Sequence, residues 1–338
     1  MAGHDSGLNE DGDRAATQQI EPPFAPPTAR LERNFALADR DIREGRFQRW
    51  LALIAGASSA LSGLEVTYEH YRGGYSRRIM YTPLVLSSAL AASGVAAFVS
   101  PRAAKTLLPF VSVMTLADCG IGFYFHVRGI ARKPGGWRLP ITNMVMGPPV
   151  FAPLLFGTSA YLGLIASFLR RSDSPGNGAL PLPTHSAHWA HAFVHGHEPI
   201  DWRQDLREGR FGGQMALAAA ISAALSGFEA WYSHYKNNFR YGVQWTPVVI
   251  APLMSVTALV ATRSVRVAHA GLPIVSALAV ANGSIGFAYH VRGVLRRPGG
   301  ARKLVYNIIY GPPIFAPLLF AASGFFGLLA SLLRRRRQ

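Results

Sequence analysis

Charged residues are scarce in this chain. Of its 338 residues only 15% are Asp, Glu, Lys or Arg, whereas 49% are hydrophobic. Soluble domains carry roughly 25% charged residues, so an ordinary soluble domain is disfavoured. Proteins that bind nucleic acid also show a net charge like the +16 found here, but these Lys and Arg residues flank long apolar runs. Membrane proteins distribute basic residues in this way, so we expect a lipid bilayer as the main partner and no nucleic acid.

The motifs of soluble enzymes are missing as well. The sequence contains no phosphate-binding loop, nucleophile elbow, paired-cysteine site or dinucleotide fingerprint. Its single cysteine, Cys119, cannot form a disulfide within the chain. Because Cys119 lies inside an apolar run, we interpret it as a small packing residue.

What the sequence does contain is an internal duplication. The heptapeptide DIREGRF at Asp41 returns as DLREGRF at Asp205, an offset of 164 (205 minus 41). At this offset residues 41–174 align with 205–338 without a gap, and roughly 45% of the pairs are identical, far above chance. The interpretation is a first repeat, 47–171, and a second repeat, 205–338, joined by a His-rich linker, 172–204. Residues 1–46 are polar and lack the features of a signal peptide, which predicts a disordered cytoplasmic tail.

Each repeat has four apolar runs, near the ~20 residues that cross a bilayer. They are 48–71, 80–99, 106–130 and 147–169, then 212–235, 244–262, 270–294 and 311–333. Small residues are dense in these runs, as in closely packed membrane helices. The sequence predicts an all-α integral membrane protein with eight transmembrane helices. Four spans return the chain to its starting side, so the two four-helix repeats should be parallel, related by a pseudo-twofold axis along the membrane normal.

Basic residues give the orientation. Arg170 and Arg171 follow the last span of the first repeat, and residues 334–337 are all arginine. These clusters favour cytoplasmic termini and a multi-pass protein of the cell (inner) membrane, although the opposite loops are basic too. In the linker, the spacing of His188, His191 and His195 allows one helical face to present all three. The linker is therefore predicted to form either a surface metal site or a polar segment on the membrane surface.

Polar residues recur at equivalent positions in the two repeats, within segments otherwise suited to lipid. Residues 63–71 match 227–235, residues 122–129 match 286–293, and a Gly-Pro-Pro turn follows an asparagine in both repeats. Because these blocks lie at the ends of spans one and three and the start of span four, each repeat should form one polar cluster, and both clusters should face the same side. The candidate residues are Glu65, Tyr68, His70, His126, Arg128 and Asn143, with Glu229, Tyr232, His234, His290, Arg292 and Asn307.

Two histidines on separate helices are a pattern typical of b-type haem, with one imidazole on each side of the iron. His70 and His126 would bind one haem, and His234 with His290 would bind a second. On this interpretation Gly63 and Gly122 leave room for the flat ring. Arg128, and likewise Arg292, would meet a haem propionate.

The same residues permit other chemistry. A non-haem metal held by His70, His126 and Glu65 would use two histidines and one carboxylate, although Glu65 and His70 lie about 140° apart around a regular helix. A proton or quinone path is the other reading, and it would be lined by Glu65, Tyr68, Asn143, Glu229, Tyr232 and Asn307. An unpaired buried carboxylate is costly. We therefore expect Glu65 to pair with Arg128, or else to be protonated and hydrogen-bonded to Tyr68, and Glu229 likewise with Arg292 or Tyr232.

Three functions remain open. The first is an integral membrane electron-transfer subunit that binds haem b or quinone at the duplicated clusters near one membrane face. The second is a transporter or channel whose polar path is lined by the same residues. The third is a non-catalytic structural membrane subunit of a larger complex. Other membrane or redox subunits are further candidate partners. The intramembrane ionisable groups predict a functional site.

Overall fold

The computed structural model describes residues 45–169, 171 and 211–333, together with positions 33, 37, 40 and 41. Within these residues the fold is all-helical, with no strand, which confirms the all-α part of the predicted class. The His-rich linker, the four terminal arginines and nearly all of the N-terminal tail lie outside the described residues. The first half contains α1 (Phe47–Arg72), α2 (Thr82–Val99), α3 (Pro101–Lys105), α4 (Leu107–Ala131), α5 (Pro140–Val145) and α6 (Ala152–Phe168). The second half contains α7 (Gly212–Lys236), α8 (Thr246–Ala261), α9 (Val265–His269), α10 (Gly271–Leu295), α11 (Leu304–Ile309) and α12 (Ala316–Leu333).

Seven helical segments in the described chain are long and apolar enough to cross a membrane. Six of them contain α1, α2, α4, α7, α8 and α10, and the seventh is α12. The remaining predicted span is the fourth of the first half and corresponds to α6. It is shorter than expected, because α6 has only 17 residues. Gly147, Pro148 and Pro149 precede it, and prolines neither donate a backbone hydrogen bond nor favour a helical residue before them. The apolar run from residue 147 therefore becomes helical only at Ala152.

The main helices of each half contact one another in the same cyclic order. In the first half α1 packs on α2 and α6, and α4 also packs on α2 and α6. In the second half α7 packs on α8 and α12, and α10 also packs on α8 and α12. Between the halves, α7 contacts α5 and α6, and α1 contacts α11. Buried apolar side chains of both halves, among them Leu51 and Leu333, form one core.

The helices differ in how much of their surface the protein itself covers. Within their most apolar windows, 44–50% of the residues of α1, α7 and α12 are buried, against 17–28% for the segments that contain α2, α4, α8 and α10. The outer helices expose large apolar side chains, including Val85, Phe110, Val249 and Ile274. Soluble monomers rarely expose contiguous apolar surface of this kind. The fold is thus that of a membrane-embedded helical protein, in which α1, α7 and α12 are the most covered of these seven helices and the apolar surface of the other four is compatible with lipid.

Basic side chains close the ends of helices opposite the Gly-Pro-Pro turn. Arg171 is 3% exposed and donates hydrogen bonds to the carbonyl oxygens of Ala97 and Phe98, at the end of α2, and to Gln48 on α1. Lys105 Nζ donates to the carbonyl oxygens of Ser167 and Leu169, at 2.7 and 2.9 Å, where α6 ends. Arg171 therefore binds helix ends, and its charge is weak support for the predicted orientation.

Close approach of α1 and α2 depends on two glycines. A Cβ atom at Gly94 would lie 2.6 Å from the carbonyl oxygen of Ala52 and 2.8 Å from Cα of Gly56. These are backbone atoms, which cannot turn aside as a side chain can. Close contact of helix backbones through small residues is a main source of helix association in membranes.

We expect Gly94→Ala to lower the free energy of unfolding by about 1–3 kcal/mol, because overpacking must separate α1 from α2. Gly120→Ala is the matched control, since it is also a helical glycine but a Cβ there would meet nothing within 4 Å. The control should be unchanged or gain up to about 1 kcal/mol from helix propensity. Thermal unfolding in detergent measures both variants, and equal stability of the two would refute this packing.

Candidate functional site

Histidine hydrogen bonds join the end of α1 to the start of α2, and the end of α4 to the start of α6. His70, near the end of α1, contacts the carbonyl oxygen of Met80, just before α2. His126, near the end of α4, contacts the carbonyl oxygen of Pro149 in the turn before α6. The equivalent contact in the second half joins His290, on α10, to the carbonyl oxygen of Pro313. Each of these contacts links a histidine to the segment that precedes another helix.

These contacts determine which ring nitrogen carries a proton. Nδ1 lies 2.7 Å from the Met80 oxygen in His70 and 2.5 Å from the Pro149 oxygen in His126. A carbonyl oxygen only accepts hydrogen bonds, so Nδ1 must be the donor in both rings. In the neutral ring, Nε2 then keeps its lone pair and can accept a proton, accept a hydrogen bond or bind a metal. His290 makes the same Nδ1 contact.

The two histidines of each half lie close enough to interact electrostatically, His70 with His126 and His234 with His290. The arginines do not join them. Arg128 is exposed, and its Nη1 atom donates to the hydroxyl of Tyr124 at 3.3 Å. Arg292 is exposed as well. The two histidines of each half are thus within electrostatic range of each other, and the arginine predicted to join them is at the surface.

Two carboxylates, the buried Glu65 and the partly buried Glu229, make polar contacts between the halves. Glu65 on α1 accepts a hydrogen bond, 2.9 Å long, from the backbone N–H of Phe315, the residue before α12. Glu229 on α7 accepts one of the same length from the N–H of Phe151, the residue before α6. The first N–H groups of a helix have no partner within it, and the helix dipole favours negative charge there. Each half therefore supplies the carboxylate that caps the last long helix of the other half.

The predicted ion pairs of these carboxylates are not formed among the described residues. Glu65 contacts Phe315 and Tyr68, and Arg128 contacts Tyr124 instead. The alternative expectation for Glu65 is met in its geometry, since the Tyr68 hydroxyl donates to Oε1 at 2.6 Å and both side chains are buried. Tyr232 is buried within electrostatic reach of Glu229, but the expected hydrogen bond between these two side chains is not formed, and Glu229 accepts from backbone N–H groups instead. The sequence could not reveal the true partners, because backbone N–H groups carry no side-chain signal.

Asn143 and Asn307 hold turns together. The Nδ2 atom of Asn143 donates to the carbonyl oxygens of Pro134 and Gly136, at 3.1 and 2.7 Å. Asn307 binds the equivalent Pro-Gly-Gly turn through Pro298 and Gly300. Positive φ angles at Gly135 and Gly136, +79° and +47°, explain why the turn needs glycine. Both amide donors are used by the turns, which gives these asparagines a structural role.

Neighbouring helices fill the space beside the two glycines that were expected to make room for a flat ring. A Cβ atom at Gly122 would lie 3.2 Å from the ring of Pro153 on α6. A Cβ at Gly63 would collide with the side chain of Ser87 on α2. The expectation of an open space beside His70 and His126 was wrong at these two positions, because neighbouring helices occupy both.

Sequence reasoning missed a second polar pair in each half. Thr82, at the start of α2, lies 2.5 Å from Asp118 on α4, measured from Oγ1 to Oδ1. Thr246 and Asn282 are the equivalent pair, with 2.6 Å between Oγ1 and Nδ2. Asp118 also lies within electrostatic range of His70. The sequence does contain a signal, since Asp118 is an Asp within an apolar run and aligns with Asn282. The prediction used only positions that are identical in the two repeats, so this pair was missed.

An aromatic pair next to the histidine was missed too. Tyr75 has a φ of +43° and stacks on Tyr81, with 4.3 Å between ring centroids. Phe239, with a φ of +45°, stacks on Trp245 at 3.9 Å in the second half. Burial, and then the nearby Tyr81 phenol, raise the pKa of Tyr75, whose hydroxyl donates to the carbonyl oxygen of Thr67. Non-glycine residues at positive φ cost energy, and here the stacked ring offsets part of that cost.

In the described part of the chain, no group of three His, Cys, Asp or Glu side chains is arranged to hold a metal ion. Glu65, proposed as the third ligand, is directed at Phe315 of the other half. The five linker histidines lie outside the described residues. Comparisons with protein-family models, with curated proteins and with solved structures gave no match. The residues of the site therefore carry the functional argument.

We expect Glu65→Leu to lower the free energy of unfolding by about 1–3 kcal/mol, because the Phe315 N–H and the Tyr68 hydroxyl both lose their acceptor. Glu65→Gln keeps an acceptor oxygen and loses the charge, so it should cost only about 0.3–1 kcal/mol. Glu69→Gln, on the same helix, removes an exposed ion pair with Arg72, 3.2 Å long, and should change stability by less than about 1 kcal/mol.

Thermal melts of the three variants in one detergent make this comparison. If Glu65→Leu melts at the wild-type temperature, as Glu69→Gln is expected to do, the Glu65 carboxylate does not hold α12 in place.

Proposed function

We propose that the protein is an integral membrane protein of eight spans, built as two parallel four-helix repeats, in the cell membrane. Support comes from the helix ranges, since α1 at Phe47–Arg72 and α7 at Gly212–Lys236 differ by the sequence offset to within one residue, as do α4 and α10. The reciprocal contacts of Glu65 and Glu229 are what a twofold relation between the halves would produce. On this proposal the short α6 is the eighth span, counterpart to α12.

We propose further that the protein is a membrane electron-transfer subunit whose histidine pairs interact with a quinone head group or with haem b. One observation carries this: Nδ1 of His70, His126 and His290 is bound to a backbone carbonyl, which fixes each ring and leaves Nε2 available. Histidines that bind metals are oriented in this way. A fixed Nε2 is equally suited to hydrogen-bond a quinone oxygen and to exchange a proton with it.

The packing favours the quinone over haem. A haem between His70 and His126 needs a flat space. The space beside Gly63 is filled by Ser87, and the space beside Gly122 is filled by Pro153. A quinone head group is smaller, reaches the site from the lipid, and needs a donor or acceptor at each oxygen. Haem, when bound, would supply one-electron chemistry, and His70 with His126, or His234 with His290, would hold its iron.

A transporter or channel is the second candidate, and a specific observation favours it. A Gly-Pro-Pro turn separates the fourth long helix of each half from the short helix before it, and the N-terminus of the long helix faces a carboxylate on the other half. Interrupted helices whose ends face ionic groups are common in transporter sites near the middle of the membrane. The carboxylates would then form part of a polar path between the halves.

The experiment that tests the proposal is to purify the protein in mild detergent, record its absorption spectrum with and without dithionite, and extract and quantify quinone. Ubiquinone-1 and haemin are then titrated against the protein. We expect quinone to bind, with the dissociation constant of the first-half site raised about tenfold in His126→Gln through loss of one hydrogen bond of about 1.4 kcal/mol. A Soret band that His126→Gln reduces by half, and that His126→Gln with His290→Gln abolishes, would support haem within the same class.

The matched control is His269→Gln, because His269 lies on α9, at the end of the bundle away from the Gly-Pro-Pro turns. It should bind the probes as the wild-type protein does. Absence of quinone, haem and probe binding in a folded preparation would overturn the electron-transfer proposal. Proton or cation flux in proteoliposomes would then be the assay for the transporter.

A further inference from the structure

The hydroxyl of Thr82 has two acceptors and one proton. Its Oγ1 atom lies 2.9 Å from the carbonyl oxygen of Ile79 and 2.5 Å from Oδ1 of Asp118. A hydroxyl donates one hydrogen bond. If Asp118 is ionised, both neighbouring oxygens only accept, so one of these two short contacts has no proton.

The second half shows how the same arrangement is satisfied. There Asn282 Nδ2 donates to the Thr246 hydroxyl at 2.6 Å, and that hydroxyl donates to the carbonyl oxygen of Val243 at 2.8 Å. The order is amide to hydroxyl to carbonyl, with one proton for each contact. In this position the second half has a donor, and the first half has Asp118.

We propose that Asp118 carries a proton, which it donates to Thr82, and that the first half therefore has a proton-binding site that the second half lacks. With the proton on Oδ1, Thr82 donates to Ile79 and both contacts are satisfied. The carboxylic O–H then takes the place of the Asn282 N–H. A neutral acid is also the less costly form for a partly buried carboxyl group inside a membrane helix.

Few titratable groups surround Asp118. Of the helices packed against α4, α2 and α5 contain no titratable residue and α6 contains only Tyr161. The short α3, next to the start of α4, contains Arg102 and Lys105. On Asp118's own helix the neighbouring titratable group is Cys119, whose thiol is buried. His70, from α1, lies within electrostatic range, and its Nδ1 already donates to Met80.

Asn282 has no proton to release, which makes the two halves chemically different. This inference holds whether the histidines serve a quinone, a haem or a transport path.

The test is infrared spectroscopy of the detergent-solubilised full chain, wild type against Asp118→Asn and Asn282→Asp. We expect the wild-type-minus-Asp118→Asn difference spectrum to contain the C=O stretching band of one protonated carboxyl group, shifted to lower frequency in D₂O. Asn282→Asp should gain a second such band, because the donor position in the second half also requires a proton. Asp118→Asn should melt at the wild-type temperature, since its amide supplies the donor.

A difference spectrum with a carboxylate band in place of the C=O band would overturn the proposal. So would an Asn282→Asp protein that gains only a carboxylate band. If Asp118→Asn does not fold, Asn282→Asp alone decides, because it leaves the first half unchanged. These readouts need no quinone or haem, so they stay informative if the electron-transfer proposal fails.

Discussion

The contact between a buried carboxylate and the first N–H group of a helix in the opposite half is the constraint on which this structure depends. Glu65 binds Phe315, and Glu229 binds Phe151. Because the prolines before α6 and α12 end the preceding backbone structure, these helices begin with free N–H groups inside the protein. A negative side chain satisfies them best, and the duplicated chain supplies one from each side.

The Gly-Pro-Pro turn connects that contact to the histidine cluster. In the first half the carbonyl oxygen of Pro149 accepts from His126, and two residues later the N–H of Phe151 donates to Glu229. One short segment is thus bound by the histidine of its own half and by the carboxylate of the other. The backbone that His126 contacts is therefore the same backbone that joins the two halves.

Much of the helical architecture was predictable, because apolar length and the gapless duplication are properties of the sequence. The partners of the polar residues were less so. Glu65 and Phe315 are 250 positions apart, and a repeat alignment suggests partners within a repeat but not between repeats. Gly122 was misread because sequence does not show which helix fills the space above a glycine. Asp118 was overlooked because it aligns with an Asn, although that difference now distinguishes the two halves.

Backbone hydrogen exchange tests the reciprocal contact most directly. Deuterium uptake is measured by mass spectrometry on peptides covering residues 147–156 and 311–320, in the wild type, Glu65→Gln and Glu229→Gln. The account predicts that Glu65→Gln speeds exchange at the start of α12, in the opposite half, and leaves the start of α6 unchanged. Glu229→Gln should do the reverse. Faster exchange at the start of α6 in Glu65→Gln, with α12 unaffected, would contradict the account.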